Sequence, residues 1–365
     1  MDNKEEIIAF SLEKYLNTGV KNLMATAYRA AVSNPKELLF VLNMKRVFTR
    51  SEKRRKALLK EENLHIPPFL ISSIATTCNL SCTGCYAHAN RIEKTEQLSV
   101  TQWKIIFEEA AQLGVVFNLL AGGEPLMRRE VLEEAAKIRK MIFPVFTNGL
   151  LLNEMHLDFF ANNLNIIPVI SVEGGELQTD KRRGSGVFKQ LEGIMERLRQ
   201  RNLFYGISIT VTTENQNVVT SNEYLEKIRT MGCKIVFYVE YVPVEAETAY
   251  LALDTTDITR MATALERIRQ KYGDIIFLSF PGDEKEAGGC LAAGRGFLHI
   301  SSNGKAEACP FAPFSDTNIA ESGLKAALRS PFFEKLRTVG LVGGEHTGGC
   351  ALFERQQEVK YLLNN

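Results

Sequence analysis

The hydrophobic pattern changes near residue 67, from helical spacing to a repeated alternation of apolar runs and amphipathic stretches. Before that point apolar side chains recur every three to four residues, which is typical of helices. Asn34-Pro35 has the form of a helix cap followed by a first-turn proline, so a second helix is predicted over residues 38–48. Pro67-Pro68 ends this region. We therefore expect an N-terminal helical segment at residues 1–66.

Six apolar runs follow, rich in Val, Ile and Phe and with little polar alternation, as in strands that are buried on both faces. These predicted strands cover residues 69–76, 116–120, 142–147, 166–172, 204–212 and 234–241. Helical stretches lie between them, which predicts a parallel sheet or a partly closed barrel within residues 67–280. The fold class expected from this alternation is α/β.

The alternation stops at about residue 281, where glycine-rich and cysteine-bearing loops take over. A hairpin is predicted there, with strands at 297–301 and 305–308 and a turn at Asn303-Gly304. We expect residues 281–365 to form a small separate domain.

Charge and composition exclude several classes of protein. The formal net charge of +1 gives no global electrostatic case for binding nucleic acid. No apolar run approaches the length that crosses a bilayer, and the acidic N-terminus lacks the apolar stretch of a signal peptide. Seven cysteines, an odd number, argue against a secreted disulfide framework and favour a reducing cytoplasm.

A basic run at residues 45–60 has three readings. It is a solvated helix face, a contact for anionic lipid headgroups, or a cover over the open side of a partial barrel.

The most specific chemical signal is a trio of cysteines, Cys78, Cys82 and Cys85, with three and then two residues between them. Structural zinc sites usually show two distant Cys-x2-Cys pairs, and bacterial ferredoxins add a fourth cysteine at short spacing. Neither pattern fits, because the next cysteine is Cys233. Three thiolates on a four-iron cluster would leave one iron open to a ligand.

Further candidate residues follow the predicted strands, at the carboxyl ends where parallel sheets place their ligands. Each also has a plain reading as a turn or a strand end. On the last predicted strand, Glu240 could contact substrate or accept a proton, and after the fourth strand Arg182 and Arg183 could meet an anionic group. The loop candidates are Gly122, Gly123, Glu124, Thr147, Asn148, Ser171 and Glu173.

The cysteine spacing and the Gly122-Gly123-Glu124 loop resemble the radical S-adenosylmethionine (radical SAM) superfamily, over roughly residues 69–280. The resemblance implies a partial (β/α)6 TIM-like barrel and a [4Fe-4S] cluster held by Cys78, Cys82 and Cys85. S-adenosylmethionine would bind the fourth iron and be cleaved reductively to a 5′-deoxyadenosyl radical, which abstracts hydrogen from carbon. A flavodoxin- or ferredoxin-type electron donor and an anaerobic setting would follow.

The same resemblance implies roles for the loop residues. Glu124 would face the ammonium group of S-adenosylmethionine, Ser171 and Glu173 its ribose hydroxyls, and Thr147 and Asn148 its methionine moiety. The residue before the third cysteine, often aromatic in this family, is Gly84 here, and Tyr86 would supply some of the lost contact.

The C-terminal cysteines resemble the SPASM domain and its shorter relative, the twitch domain. Cys290 and Cys309, with Gly304 between them, match its opening half, and Gly348-Gly349-Cys350 matches its end. The resemblance implies one auxiliary [4Fe-4S] cluster with Cys290, Cys309 and Cys350 as ligands. A zinc site or three unrelated thiols are the alternatives. The fourth ligand stays open between water, substrate and the side chains of Asp283, Glu284, Glu286 and His346.

The function expected from these resemblances is hydrogen abstraction from a carbon, in peptide or protein maturation or in small-molecule oxidation or rearrangement. A lipid-modifying enzyme at the membrane surface, contacting it through residues 1–66, is one alternative. An iron–sulfur electron carrier or scaffold is the non-enzymatic alternative.

Overall fold

The computed structural model describes residues 20–21, 24–29, 31–32, 34–90, 96–342 and 350–365, with backbone alone at 285 and 286. The helical prediction for the first nineteen residues lies outside this range.

The first long helix, α1 (Pro35–Glu62), begins at the cap that the sequence predicts. The Asn34 side chain accepts hydrogen bonds from the backbone N–H groups of Lys36 and Glu37, and Pro35 occupies the first turn. Asn63 ends the helix in the left-handed conformation. The predicted helix at 38–48 was therefore too short, since the basic run continues the same helix.

Seven parallel strands follow, each joined to the next by helical segments. They are β1 (Phe69–Ala75), β2 (Phe117–Gly122), β3 (Phe143–Thr147), β4 (Ile166–Ser171), β5 (Gly206–Val211), β6 (Ile235–Glu240) and β7 (Ile276–Phe280). All six predicted strands are present. The seventh, β7, went unpredicted, although its sequence is as apolar as the others.

The strands pair in chain order, and β7 does not pair with β1, so the sheet is an open, partial barrel. Its curvature shows in one apolar cluster at the amino ends of the strands. Phe117, Ile167, Ile235 and Ile276 come from four different strands and meet there against Met44 and Phe48 of α1. A flat sheet could not bring them together. The helix α1 thus closes the bottom of the barrel, and its basic residues are exposed except Arg55, which is buried and donates to the Gly114 carbonyl.

The remaining helices complete the chain. They are α2 (Tyr86–Ala89), α3 (Val100–Leu113), α4 (Arg129–Lys137), α5 (Glu154–Asn162), α6 (Glu176–Arg183), α7 (Val187–Gln200), α8 (Gln216–Val219), α9 (Asn222–Thr230), α10 (Thr255–Lys271), α11 (Ile319–Ser322), α12 (Leu324–Leu328), α13 (Pro331–Thr338), α14 (Ala351–Glu354) and α15 (Gln356–Asn364). Short 3-10 turns lie at Pro125–Arg128, Ala246–Leu251 and Gly282–Ala287.

The predicted C-terminal hairpin is present as β8 (His299–Ile300) and β9 (Ala306–Glu307). Its first strand pairs in parallel with β1, so the hairpin extends the barrel sheet beyond β1 to nine strands. The backbone of the C-terminal region is therefore continuous with the barrel sheet. Among the described residues, no helix is long and apolar enough to cross a membrane.

Glu37 on α1 gives the fold a testable pH dependence. Burial raises the pKa of its carboxyl from 4.5 to about 7, although Lys234 and Asn34 oppose the shift. Below about pH 4.5 both folded and unfolded chains hold the proton. As the pH rises, the unfolded chain ionises first, so stability is lost until the pH passes the folded pKa. We expect Glu37→Gln to unfold at a higher temperature than wild type at pH 8, with a gap that closes towards pH 5.

Thermal unfolding at both pH values measures this gap. Glu61→Gln, an exposed position near the end of the same helix, is the matched control and should show no such gap. A Glu37→Gln gap of equal size at pH 5 and pH 8 would contradict the account.

Candidate functional site

A cavity of about 770 Å³ lies within the partial barrel and reaches the carboxyl ends of its strands. Apolar side chains from the strands line its interior, among them Phe146, Phe237, Val239 and Phe280. The cysteines at its upper end are Cys78, Cys82 and Cys85. The structure thus brings the first trio to the place that strand topology indicates, over a largely apolar chamber.

The cysteine loop connects β1 to α2, and polar groups approach two of its sulfur atoms. The Asn148 amide nitrogen lies 3.6 Å from Cys78 Sγ, and Arg183 Nη1 lies 3.9 Å from Cys82 Sγ. Burial raises the pKa of the Cys82 thiol, while Arg183 and Arg182 lower it. Donors and cations near sulfur favour thiolates, which are the form that binds iron.

At Gly84, before the third cysteine, Tyr241 leaves no room for a side chain. Gly84 has φ +63°, and a Cβ there would lie 2.2 Å from the hydroxyl oxygen of Tyr241. Tyr241 comes from the end of β6, lines the cavity and donates a hydrogen bond to Thr248 Oγ1 at 2.5 Å. An aromatic ring therefore does lie beside the third cysteine, supplied by a distant strand. The sequence gives no sign of this position of Tyr241, and the part of the aromatic contact expected of Tyr86 stays a prediction.

The two glycines after β2 let this loop lie directly against the cysteine loop. A Cβ on Gly122 would lie 2.5 Å from the Ala75 carbonyl oxygen, and one on Gly123 would lie 2.1 Å from that of Thr77. Backbone hydrogen bonds join the loops, from Gly123 N–H to Ala75 at 2.7 Å and from Glu124 N–H to Thr77 at 2.8 Å. Both glycines also line the cavity.

Glu124 is 1% exposed and its carboxylate is engaged within the protein. One oxygen accepts hydrogen bonds from the Thr147 hydroxyl at 2.6 Å and the Leu126 N–H at 3.0 Å, and the other accepts from the Asn148 N–H at 2.8 Å. Burial raises the pKa of the carboxyl, and these bonds oppose that shift. In this arrangement Glu124 orients Asn148, whose side chain reaches Cys78. Neither Glu124 nor Thr147 is among the residues that line the cavity.

Glu173 is likewise buried and holds two arginines. Its Oε1 lies 2.6 Å from a guanidinium nitrogen of Arg182 and 2.6 Å from one of Arg183, while Oε2 accepts the Thr210 N–H at 2.9 Å. Burial alone would raise the pKa of Glu173, but the two arginines hold it below its ordinary value. Arg182 and Arg183 line the cavity together with Ser171. Glu173 itself does not, so the cations, not the carboxylate, face the chamber.

The last predicted strand presents alternating side chains, and the structure decides which set faces inward. Phe237, Val239 and Tyr241 face the interior. Tyr238 points the other way, with its hydroxyl donating to the Val219 carbonyl at 2.8 Å. Glu240 is on the Tyr238 side of β6 by this alternation. It is 4% exposed and borders the cavity at the end of the strand.

Tyr86 lies between the cysteine loop and the C-terminal hairpin. Its ring meets that of Phe311 edge-on, with centroids 5.1 Å apart, and Phe311 follows Cys309 closely in sequence. A second contact between the two regions runs from Ser73 on β1 to His299 at 2.8 Å, and from His299 to Glu307 at 2.7 Å. Tyr86 thus belongs to the cavity wall at the junction of the barrel and the hairpin.

The second trio also assembles. Cys290 and Cys309 are buried, Cys350 is partly exposed, and the Cys309 and Cys350 thiols are hydrogen-bonded to each other. Cys233, by contrast, is a core residue whose thiol donates to the Ile235 carbonyl at 3.2 Å. Among the described residues, no group of three or more His, Cys, Asp or Glu side chains is spaced to hold a single metal ion. In an iron–sulfur cluster each cysteine binds a different iron, so its ligands lie farther apart than those of one ion.

The acidic candidates near the second trio differ in their hydrogen-bond and ion-pair partners. Asp283 pairs with Arg269 at 2.8 Å and accepts the Ser279 N–H at 2.8 Å. Glu284 is 2% exposed, hydrogen-bonds with the Cys290 thiol, and leaves Oε1 without a hydrogen-bond partner. Burial raises the pKa of this carboxyl to about 8. The Glu286 side chain and His346 lie outside the described residues.

A substitution at Gly84 tests the contact with Tyr241. We expect Gly84→Ala to lower the iron bound per chain after anaerobic reconstitution, because the new Cβ collides with the tyrosine ring. Gly186→Ala is the matched control, since Gly186 has φ +77° and nothing within 4 Å of its Cβ position. Both variants incur backbone strain, and only the first incurs the collision. Equal iron contents in the two variants would contradict the role given to Tyr241.

The ion pairs of the buried Glu173 carboxylate give another prediction. Glu173→Gln should lower the free energy of unfolding by about 3–5 kcal/mol, because it leaves two cations without their shared carboxylate. Glu154 offers a matched control. It also contacts two arginines, Arg197 and Arg201, but its side chain is 63% exposed, so Glu154→Gln should cost about 0–1 kcal/mol. Denaturant titration of both variants measures the difference, and similar losses would contradict it.

Comparison with known proteins agrees with this architecture. The radical SAM superfamily domain matches residues 72–228. The sporulation killing factor maturation protein SkfB of Bacillus subtilis is 26% identical over 215 residues, 58% of this chain and 52% of SkfB. The chain thus spans about half the length of that relative. The AdoMet-dependent heme synthase of Methanosarcina barkeri is 26% identical over 301 residues, 74% of this chain and 85% of that protein.

Among solved structures, Streptococcus suis SuiB bound to the precursor peptide SuiA has a similar fold. The TM-score is 0.64 at 19% identity, covering 82% of this chain and 76% of SuiB. The superfamily domain starts within β1 and spans both the cysteine loop and the Gly122-Gly123-Glu124 loop. Residues 72–228 therefore match the radical SAM superfamily, and the similarity to SkfB and to the fold of SuiB extends beyond that domain.

Proposed function

We propose that the protein uses S-adenosylmethionine and a [4Fe-4S] cluster held by Cys78, Cys82 and Cys85 to abstract hydrogen from a carbon of a substrate bound in the barrel cavity. The observation that carries this proposal is the position of the trio. It lies at the carboxyl edge of a parallel sheet, faces an apolar chamber, and has no fourth cysteine beside it, since the other four lie in the core or near the hairpin.

The residues of the chain fit such a cluster. Asn148 and Arg183 point N–H groups at two of the sulfur atoms. When bound, the cluster would supply the electron that cleaves S-adenosylmethionine into methionine and a 5′-deoxyadenosyl radical. Gly122 and Gly123 line the cavity beside the cysteine loop, and Arg182 and Arg183 bring positive charge to the cavity wall. Anionic groups such as a carboxylate are suited to this wall.

The apolar lining protects the reacting carbon. Side chains such as Phe146, Phe237 and Phe280 exclude water from the chamber and offer no polar hydrogen to a radical. Ser171 and Glu240 border the cavity at the ends of β4 and β6, and we propose them as contacts of a substrate or ligand.

An auxiliary [4Fe-4S] cluster at Cys290, Cys309 and Cys350 is part of the proposal. The buried Glu284 oxygen, which has no hydrogen-bond partner and lies beside the Cys290 thiol, supports it. Tyr86 and Phe311 form an aromatic contact between the loops that carry the two trios. Electrons would come from a flavodoxin- or ferredoxin-type donor under anaerobic conditions.

A peptide or protein is the substrate class that we favour. SkfB is named as a maturation protein, and SuiB was solved with a precursor peptide. A small molecule is the second class, since the heme synthase matches over most of its own length.

A lipid substrate has one specific observation in its favour. Leu39 and Leu42 on α1 are exposed, and basic residues lie on the same helix. Vesicles with anionic headgroups should then carry the protein upward in a flotation gradient, and vesicles with neutral headgroups should not. Equal recovery in both would remove this alternative.

The radical chemistry is tested by product formation. Anaerobically reconstituted protein with S-adenosylmethionine and dithionite should form 5′-deoxyadenosine, and the Cys78→Ala/Cys82→Ala/Cys85→Ala variant should form none. Iron content should fall from about eight atoms per chain to about four, because one of two clusters is lost. Cys233→Ala, which removes a core thiol, is the control and should keep both iron and activity. Clusters without product would favour an electron carrier, and zinc in place of iron would overturn the proposal.

A further inference from the structure

The carboxylate of Glu284 is positioned differently from those of Glu124 and Glu173. Glu124 and Glu173 each have both oxygens engaged by hydrogen bonds or ion pairs. Glu284 is as deeply buried, yet its Oε1 has no hydrogen-bond partner. Leaving a buried acceptor unpaired destabilises a fold, and more so when the acceptor is charged. Such an atom is expected to have a partner that is not a protein group.

Its neighbours indicate what that partner is. The carboxylate contacts the Cys290 thiol and receives a backbone hydrogen bond from Leu291. The negative charge of Cys350 also acts on it. Cys309 in turn contacts Cys350. The carboxylate therefore joins the three cysteines as a fourth candidate ligand of the same group.

The local backbone is built to hold Glu284 in place. It lies in the 3-10 turn Gly282–Ala287, directly after β7, and its N–H donates to the Pro281 carbonyl at 2.7 Å. The Arg295 guanidinium donates to the carbonyls of Ala287 and Gly288 at 3.3 Å each, and to that of Cys290. One cation thereby ties the turn to the cysteine and brings positive charge to a site that would otherwise gather negative ligands.

The other carboxylate described in this turn is not available in the same way. Asp283 pairs with Arg269 and accepts the Ser279 N–H, so both of its neighbours hold it to the end of β7. Asp283 and Glu284 are adjacent in sequence, but the Asp283 carboxylate is paired with Arg269 whereas Glu284 Oε1 has no hydrogen-bond partner. This contrast provides a matched control.

We propose that Glu284 is the fourth protein ligand of the auxiliary iron–sulfur cluster, completing the set formed with Cys290, Cys309 and Cys350. This inference rests on the proposed function only for the presence of that cluster. A carboxylate oxygen takes the place of the fourth thiolate at one iron. All four irons then have a protein ligand, so the auxiliary cluster carries electrons and leaves no iron free to bind substrate.

The test uses the full chain with Cys78, Cys82 and Cys85 replaced by alanine, so that the auxiliary cluster is the only one present. About four iron atoms per chain are expected, and Mössbauer spectra should show one of the four in a mixed oxygen and sulfur environment. Adding Glu284→Cys should convert that iron to the all-sulfur environment of the other three. Adding Glu284→Gln should make one iron labile, so that mild oxidation yields a three-iron cluster with its characteristic electron paramagnetic resonance signal.

Asp283→Asn makes the same carboxylate-to-amide change one residue earlier and should leave the spectra and the iron count as they are in the parent. Iron near zero in the parent would show that the auxiliary cluster is absent and that this part of the proposed function fails. Four irons with spectra that do not change in Glu284→Gln and Glu284→Cys would overturn the assignment of Glu284 alone. If Glu284→Gln fails to fold, Glu284→Cys still decides between these outcomes.

Discussion

The packing of the loop after β2 onto the cysteine loop after β1 is the contact on which the rest of the site depends. Gly122 and Gly123 allow the two backbones to approach until their hydrogen bonds form, and no side chain would fit at either position. This contact places Glu124 beneath the cysteine loop. Its carboxylate then holds Thr147 and Asn148 at the end of β3, and Asn148 reaches Cys78. Three successive strand ends are thus coupled through one buried acid.

Strand β1 has a second role as the shared boundary between the two cysteine trios. On one side it pairs with β2 of the barrel, and on the other it pairs with β8 of the hairpin. The first trio follows β1 directly, while Cys290 and Cys309 flank the hairpin. Because the hairpin is bonded to β1, its position relative to the first trio is set by sheet geometry. Tyr86 and Phe311 fill the space between them.

The three buried carboxylates, those of Glu173, Glu124 and Glu284, differ in the groups that contact them. Glu173 is neutralised by two arginines, and this arrangement turns the cations toward Cys82 and the cavity. Glu124 is stabilised by neutral hydrogen-bond donors and serves to orient its neighbours. Glu284 has an oxygen left unpaired near the thiols of Cys290 and Cys350, which is the reason for assigning it to the proposed auxiliary cluster.

Much of this protein is determined by local sequence. The six apolar runs, the helix cap at Asn34, the hairpin turn at Asn303-Gly304 and the spacing of the first cysteine trio all act over a few residues, so each could be read directly. The loops after the strands were predicted to share one edge because parallel strands must place them there. The match at residues 72–228 and the observed topology agree with that prediction.

Only the tertiary structure decided which side chains meet. Gly84 and Tyr241 are far apart in sequence, and nothing local indicates that one leaves room for the other. The roles expected for Glu124 and Glu173 as direct ligand contacts remain predictions, but both carboxylates are engaged by protein groups that no sequence pattern names. Asp283 and Glu284 are neighbours with the same charge, and their difference arises from what packs against each. Sequence determined most of the elements and the chemistry available, whereas long-range packing determined which carboxylate oxygens have protein partners and which does not.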